Sequence, residues 1–188
     1  MNKMLKVILP VMLISVLLIA GCSDQPEPDI SGISWITACD EYTGQGLQAG
    51  DPAPEFQFQN ADGQAIALSD LRGKVVIVNF WATWCVWCNK EMPYIQQVYD
   101  EWQGKGLVLL AIDLGEDADV VAEFIQEQGI PFPVLLDREG KVTIQYFKGM
   151  DASIPRTFFI DKDGILQYIQ TGAFSSKEEI ESILSQLD

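Results

Sequence analysis

Cys85 and Cys88 are separated by two residues in the stretch Trp84-Cys85-Val86-Trp87-Cys88. The run Lys74–Phe80 (KVVIVNF) before them is short and rich in β-branched residues, the pattern of a strand buried on both faces. A helix should start near Cys85. A cysteine at a helix N-terminus meets unpaired N–H groups and the positive end of the dipole, which favour an anion. That stabilises the thiolate, and the thiolate is the nucleophile. Cys88 would lie one turn further in, more buried but within reach of the first sulfur. Cys85 can then attack a disulfide, and Cys88 can resolve the mixed disulfide. Two other uses of such a pair are weaker. A purely structural bridge over so short a loop removes little chain entropy. A zinc site needs a second pair of ligands, which this chain does not supply.

The elements that position the pair can be read from periodicity. Phe56 and Phe58 alternate with polar residues, Asp62-Gly63 offers a turn, and Ile66 and Leu68 resume the alternation, as in a hairpin. After the buried strand, Met92, Ile95, Tyr99 and Trp102 mark the inner face of the helix. Pro93 falls inside it, where it should kink the helix and free a carbonyl. Leu107–Ile112 reads as a second buried strand. Val120, Val121, Phe124 and Ile125 read as a second helix, ended by Gly129 and Pro131. Val134–Leu136 suits a short strand, and Val142–Phe147 a short helix. Thr157–Ile160 and Ile165–Ile169 flank Asp161-Lys162-Asp163-Gly164 as a hairpin. Ser175 or Ser176 should cap a last helix, with Glu178 or Glu179 completing a capping box and Ile180, Ile183, Leu184 and Leu187 facing inward. Alternating strands and helices in the middle imply parallel pairing, and the last hairpin adds antiparallel strands.

Composition narrows the chemistry further. The chain has 188 residues, 48% of them hydrophobic, enough for one domain with a real core. Its 27 acidic residues against 12 basic ones give a net charge of −15, which argues against nucleic-acid binding. With no histidine, Ser-His-Asp triads and Cys-His dyads are excluded. Acid–base work falls to carboxylates, cysteines, lysines, tyrosines or water.

The N-terminus reads as an address. Lys3 and Lys6 precede an apolar run from Val7 to Ala20, shorter than the roughly 20 residues of a membrane span and typical of a signal peptide. It closes with Leu18-Ile19-Ala20-Gly21-Cys22, which resembles the lipobox of bacterial lipoproteins. The resemblance implies a signal peptide over 1–21, a lipid on Cys22 and a domain outside the cytoplasm. Residues 22–49 contain prolines, glycines and serines with no sustained period, and are expected to be a tether. Trp35 and Ile36 are apolar enough to dock on the domain.

From residue 50 to 188 the chain resembles the thioredoxin superfamily, in particular its TlpA/ResA branch of extracytoplasmic thiol–disulfide oxidoreductases. The matching segments are Gly50-Asp51-Pro52-Ala53-Pro54-Glu55-Phe56, Asn79-Phe80-Trp81-Ala82-Thr83-Trp84-Cys85, Cys88-Asn89-Lys90-Glu91-Met92-Pro93, and Ile154-Pro155-Arg156-Thr157-Phe158-Phe159-Ile160-Asp161 with Asp163-Gly164. The resemblance implies an α/β thioredoxin-like fold, a central mixed sheet flanked by helices, with an extra N-terminal β-hairpin. It implies a cis Pro155 facing the dithiol, with Ile154 offering its backbone to an extended substrate. It also implies that Glu91 exchanges a proton with Cys88; alone, a helix glutamate is ordinarily a solvated surface charge. No cofactor is expected beyond the redox-active pair. The expected partners are an extracytoplasmic protein substrate, such as apocytochrome c before haem attachment, a membrane electron donor that renews the dithiol, and the membrane itself through the lipid.

Two departures from the pattern matter. Typical thioredoxins carry a buried aspartate where this chain has Asn79, and an amide cannot accept that proton. The residues between the cysteines are Val86 and Trp87, without the usual proline or glycine, so the potential is not transferable. Trp84, Val86 and Trp87 are candidates for the docking surface. Cys39 is left over, either as a reactive thiol or as a small buried hydrophobe. Glu116, Asp117 and Asp119 lack calcium-loop spacing and suit a helix N-terminus. Two alternatives use the same residues. A thiol peroxidase usually sets a threonine three residues before its cysteine, whereas Thr83 is two before Cys85. A copper-binding lipoprotein would use the dithiol as soft ligands.

Overall fold

Strand Val75–Trp81 and strand Leu107–Asp113 are buried at every position, as a parallel pair covered on both faces must be. They are β4 and β5 of the computed structural model, which describes residues 29–187. The expected signal peptide and the lipid-bearing Cys22 lie outside the described residues.

In chain order the described residues form β1 (Ile33–Cys39), β2 (Phe56–Gln59), β3 (Ala65–Ala67), β4, α1 (Val86–Trp102), β5, α2 (Ala118–Gln128), β6 (Val134–Leu136), α3 (Lys141–Tyr146), β7 (Arg156–Ile160), β8 (Leu166–Thr171) and α4 (Lys177–Leu184). One mixed sheet runs β3-β2-β1-β6-β5-β4-β7-β8. The four central strands β1, β6, β5 and β4 are parallel. The outer pairs are antiparallel hairpins on either side, β2–β3 and β7–β8.

Alternation along β4 divides the core into two halves. Val75, Ile77 and Trp81 face a cluster with Met92 and Ile95 of α1, Val121 of α2 and Ile180 and Leu184 of α4. Val76, Val78 and Phe80 face the other side, against Phe56, Phe58, Val142 and Tyr146. Phe80 sits in an aromatic nest with Tyr146, Phe147 and Phe158, centroids 5.0–5.6 Å away. Helix α4 starts as expected: Ser176 caps the Glu179 N–H, and the Glu179 carboxylate takes the Ser175 N–H and hydroxyl.

Two expectations change. Residues 22–49 are not a tether throughout, because β1 lies inside that range and fills the sheet between β2 and β6. The folded unit therefore includes residues about twenty positions before Gly50. The inner stripe of α1 also differs. It is made by Cys88, Glu91, Met92, Ile95 and Val98, whereas Tyr99 and Trp102 are half-buried at its margin. A charged residue thus occupies the middle of the buried face.

Candidate active site

Cys85 caps α1 from its N-terminus and Cys88 lies in the first turn. The two are joined as a disulfide. The Cys88 N–H donates to the Cys85 sulfur at 3.1 Å, so a backbone donor at the helix start already points at the atom that would carry a thiolate. Burial separates their roles: Cys85 is 6% exposed and Cys88 is fully buried. Around Cys85 the surface is apolar and open, with Trp84, Val86 and Trp87 each more than 60% exposed. Lys90 lies over the Trp87 ring, 4.1 Å from its centroid. Trp87, Lys90, Tyr94 and Phe174 line a shallow groove beside this collar.

The turn before Cys85 is fastened from two sides. Both Glu116 carboxylate oxygens accept from Thr83, one from its N–H and one from its hydroxyl, each at 2.6 Å. The Asn89 side-chain amide, from the first turn of α1, donates to the Thr83 carbonyl at 2.9 Å. Glu116 was expected to favour the start of α2; it instead holds the lead-in to the dithiol.

Glu91 is fully buried. It lies three residues after Cys88 on the same face of α1, the i,i+3 spacing that makes helix neighbours. One oxygen accepts from Asn79 Nδ2 at 3.0 Å and the other from the Phe174 N–H at 2.9 Å. Asn79 Nδ2 also reaches the Thr157 hydroxyl at 2.9 Å, directly across the β4–β7 register. Burial pushes the Glu91 carboxyl up to about 7, with the two hydrogen bonds pulling the other way. A carboxyl poised there can gain and lose a proton near neutrality. Asn79 therefore does not replace a missing acid; it orients the acid that α1 supplies. Thr157 and Phe174 were not singled out from the sequence, and Glu116 stood out only as part of an acidic cluster suited to a helix N-terminus. Only Thr157 carried a usable signal, through the pairing of two predicted strands.

The Ile154–Pro155 peptide is cis. Ile154 packs against both core clusters, and the Pro155 carbonyl accepts the Gly172 N–H. Next to it, the buried Arg156 donates to the Asp151 carbonyl and carboxylate and to the Ser153 hydroxyl. It thereby ties down the loop that ends in the cis bond and packs its guanidinium on Phe147. Cys39 is half-buried, and burial among Asp137, Asp40 and Glu55 pushes its thiol up to about 12. That environment suits a small hydrophobe and makes a poor nucleophile. Among the described residues no group of three or more His, Cys, Asp or Glu side chains is placed to hold a metal ion.

The AhpC/TSA family pattern matches residues 49–169. The thiol-disulfide oxidoreductase ResA of Geobacillus thermodenitrificans is 38% identical over 141 residues, 75% of this chain and 79% of that protein. ResA of Oceanobacillus iheyensis is 41% identical over 132 residues, 68% of this chain and 67% of its own length. Among solved structures, a thioredoxin-family thiol:disulfide interchange protein from Chlorobium tepidum superposes with a TM-score of 0.65 at 30% identity, covering 76% of this chain and 99% of the other. StoA from Bacillus subtilis gives a TM-score of 0.59 at 26% identity, covering 71% and 97%. At this identity and coverage the relationship is one of family, and the chain belongs to the AhpC/TSA family of the thioredoxin superfamily as a ResA-like thiol–disulfide oxidoreductase.

Proposed function

We propose that the protein reduces disulfides in proteins outside the cytoplasm while held to a bacterial membrane by a lipid on Cys22. In its dithiol form the Cys85 thiolate attacks one sulfur of a substrate disulfide. The substrate S–S bond breaks, a mixed disulfide forms, and the first substrate thiolate leaves and takes a proton from water. Cys88 then gives its proton to the Glu91 carboxylate and attacks the Cys85 sulfur. The second substrate thiolate leaves, takes up the proton, and the Cys85–Cys88 disulfide remains. Two electrons have passed to the substrate, and a membrane donor returns two to the protein. Trp84, Val86 and Trp87 are the surface on which the substrate docks, and the Ile154 backbone beside Pro155 holds its extended segment. Apocytochrome c before haem attachment is the substrate to which the family resemblance points. No helix of the described residues is long and apolar enough to cross a membrane.

The observation that carries this reading is the unequal burial of the two sulfurs at a helix start, backed by a buried carboxyl that titrates near neutrality. The test is the reduction potential of the Cys85–Cys88 pair in a Cys39→Ser background. Thioredoxin lies near about −270 mV and protein disulfide isomerase near about −180 mV. A value at or below the thioredoxin end is expected of a reductant. A value near or above the isomerase end would reverse the direction of electron flow. Lack of any reversible couple would overturn the redox role of the pair.

A further inference from the structure

Helix α1 carries Trp87, Lys90 and Tyr94 at spacings of three and four, so the three share one face of the helix. That face leads away from Cys85, the helix N-cap, and forms one wall of the groove beside the collar. The opposite wall is the loop of Ala173, Phe174 and Ser175. The groove measures about 450 Å³, a size that takes a few residues of peptide rather than a folded partner. Its large side chains are aromatic, and Lys90 is the one cation among the residues that line it. The Lys90 ammonium is held over the Trp87 ring, 4.1 Å from its centroid. An indole face steers an ammonium but does not neutralise it. Among the described residues no carboxylate lies within ion-pair distance of Lys90. The two carboxylates bound to the far wall are committed elsewhere, Glu91 to Asn79 and the Phe174 N–H, Glu179 to the Ser175 N–H and hydroxyl. In a chain with 27 acidic residues for 12 basic ones, this ammonium beside the dithiol is left for an anion that comes with the substrate.

We propose that the groove selects substrates with a carboxylate side chain two residues from the cysteine under attack, paired with Lys90 and with its methylenes against Trp87 and Phe174. The inference rests on the function proposed above and names the substrate class of that site. Spacing sets the position. Lys90 lies five residues beyond Cys85 on the helix, about 7.5 Å along its axis. An extended substrate covers that distance in about two residues, and residues two apart in an extended chain face the same way. A substrate whose cysteine faces Cys85 thus turns its second residue towards Lys90. A carboxylate there gains an exposed ion pair, an amide gains none, and an ammonium is repelled.

The experiment uses the reduced full chain and short peptides with one cysteine, capped as its mixed disulfide with 2-mercaptoethanol. The residue two positions from that cysteine, on either side, is Glu, Gln or Lys, and the second-order rate of reduction is followed by tryptophan fluorescence. On one side of the cysteine, the glutamate peptide should react about threefold to fivefold faster than its glutamine twin at low ionic strength, the range of an exposed ion pair, with the lysine peptide slowest. The advantage should shrink in about 0.5 M salt. Lys90→Gln should bring the three rates together, and Lys90→Glu should reverse their order. Comparing peptides on one variant cancels any change in the reactivity of Cys85, so a role of Lys90 in tuning the thiol or holding the helix would leave the order as in the wild type. Equal rates for the glutamate and glutamine peptides on both sides, or an order that survives Lys90→Glu, would overturn the proposal. If no peptide is reduced, the function proposed above fails, and serine analogues of the peptides still test the groove. The Trp87 indole N–H resonance should shift with the glutamate analogue and stay in place with the glutamine one; a resonance that ignores both overturns the groove as well.

Discussion

Glu91→Gln should make the protein more tolerant of alkaline pH and, at the same time, slower. Burial lifts the Glu91 carboxyl from 4.5 to about 7. At about 1.4 kcal/mol per pH unit, that lift is a cost of about 3 kcal/mol for keeping the side chain ionised in the fold. Between pH 4.5 and 7 the folded state binds more protons than the unfolded state, so stability falls as pH rises through that window. The cost is absent below it and complete above it. Glutamine does not ionise and escapes it. Its amide nitrogen faces one of the donors that the carboxylate satisfied, either Asn79 or Phe174, at a cost of about 1–3 kcal/mol that does not vary with pH. The decisive quantity is therefore a difference of differences. From pH 4.5 to pH 8, the variant should gain about 3 kcal/mol relative to wild type, read from urea denaturation at both pH values. In single-turnover reduction of a disulfide substrate, followed by tryptophan fluorescence, the variant should lose about 10²-fold in rate and the inflection near neutrality. Equal stability differences at both pH values would show that Glu91 titrates as an ordinary surface acid. An unchanged rate profile would remove it from the proton path.

Cys39 should stay unmodified by iodoacetamide at pH 8 in the folded protein, since its thiol is pushed up to about 12, and should react once urea unfolds the chain. Peptide mapping checks this, and labelling of Cys39 in the folded state at a rate near that of a free thiol would contradict it. Phe80→Ala should cost about 3–5 kcal/mol of stability, as a fully buried aromatic core residue. Phe80 packs on the sheet face opposite α1, so the potential of the dithiol should stay at the wild-type value. A shifted potential would mean that the two core halves are coupled through β4.

The parts of the site written in local sequence were legible. The buried strand β4, the helix start at Cys85 and the two-residue spacing to Cys88 each follow from neighbours along the chain. The cis proline became legible only through resemblance, because an isolated X–Pro bond is more often trans. Strand β1 was hidden because its pattern is inverted: Ser34 is buried and Trp35 is 41% exposed, the reverse of what alternation rewards. Its pairing with β6 joins residues about a hundred positions apart, which no window of sequence contains. Glu91 looked like a solvated helix charge because its partners are remote. Asn79 is 12 residues away and Phe174 is 83. The same holds for Glu116, 33 residues from the threonine it clamps. Buried charges become intelligible only with their donors, and here the donors come from other layers of the fold.

Strand β1 also sets the end of the sheet at which the described chain enters, opposite the end that carries Cys85. Because β1 runs parallel to β4, the chain climbs into the sheet towards the edge where β4 delivers Cys85. If Cys22 carries a lipid as proposed, a bilayer on the side where β1 begins would leave the reactive edge facing away from it. Only seven Cα–Cα steps separate Cys22 from Asp29, a reach of roughly 25 Å at full extension. With a lipid on Cys22 that reach would be the upper limit, and the sulfurs would work within a layer about one domain height above the bilayer. Substrates would have to pass through that layer, and a membrane donor would need a domain tall enough to reach the edge that faces away from it.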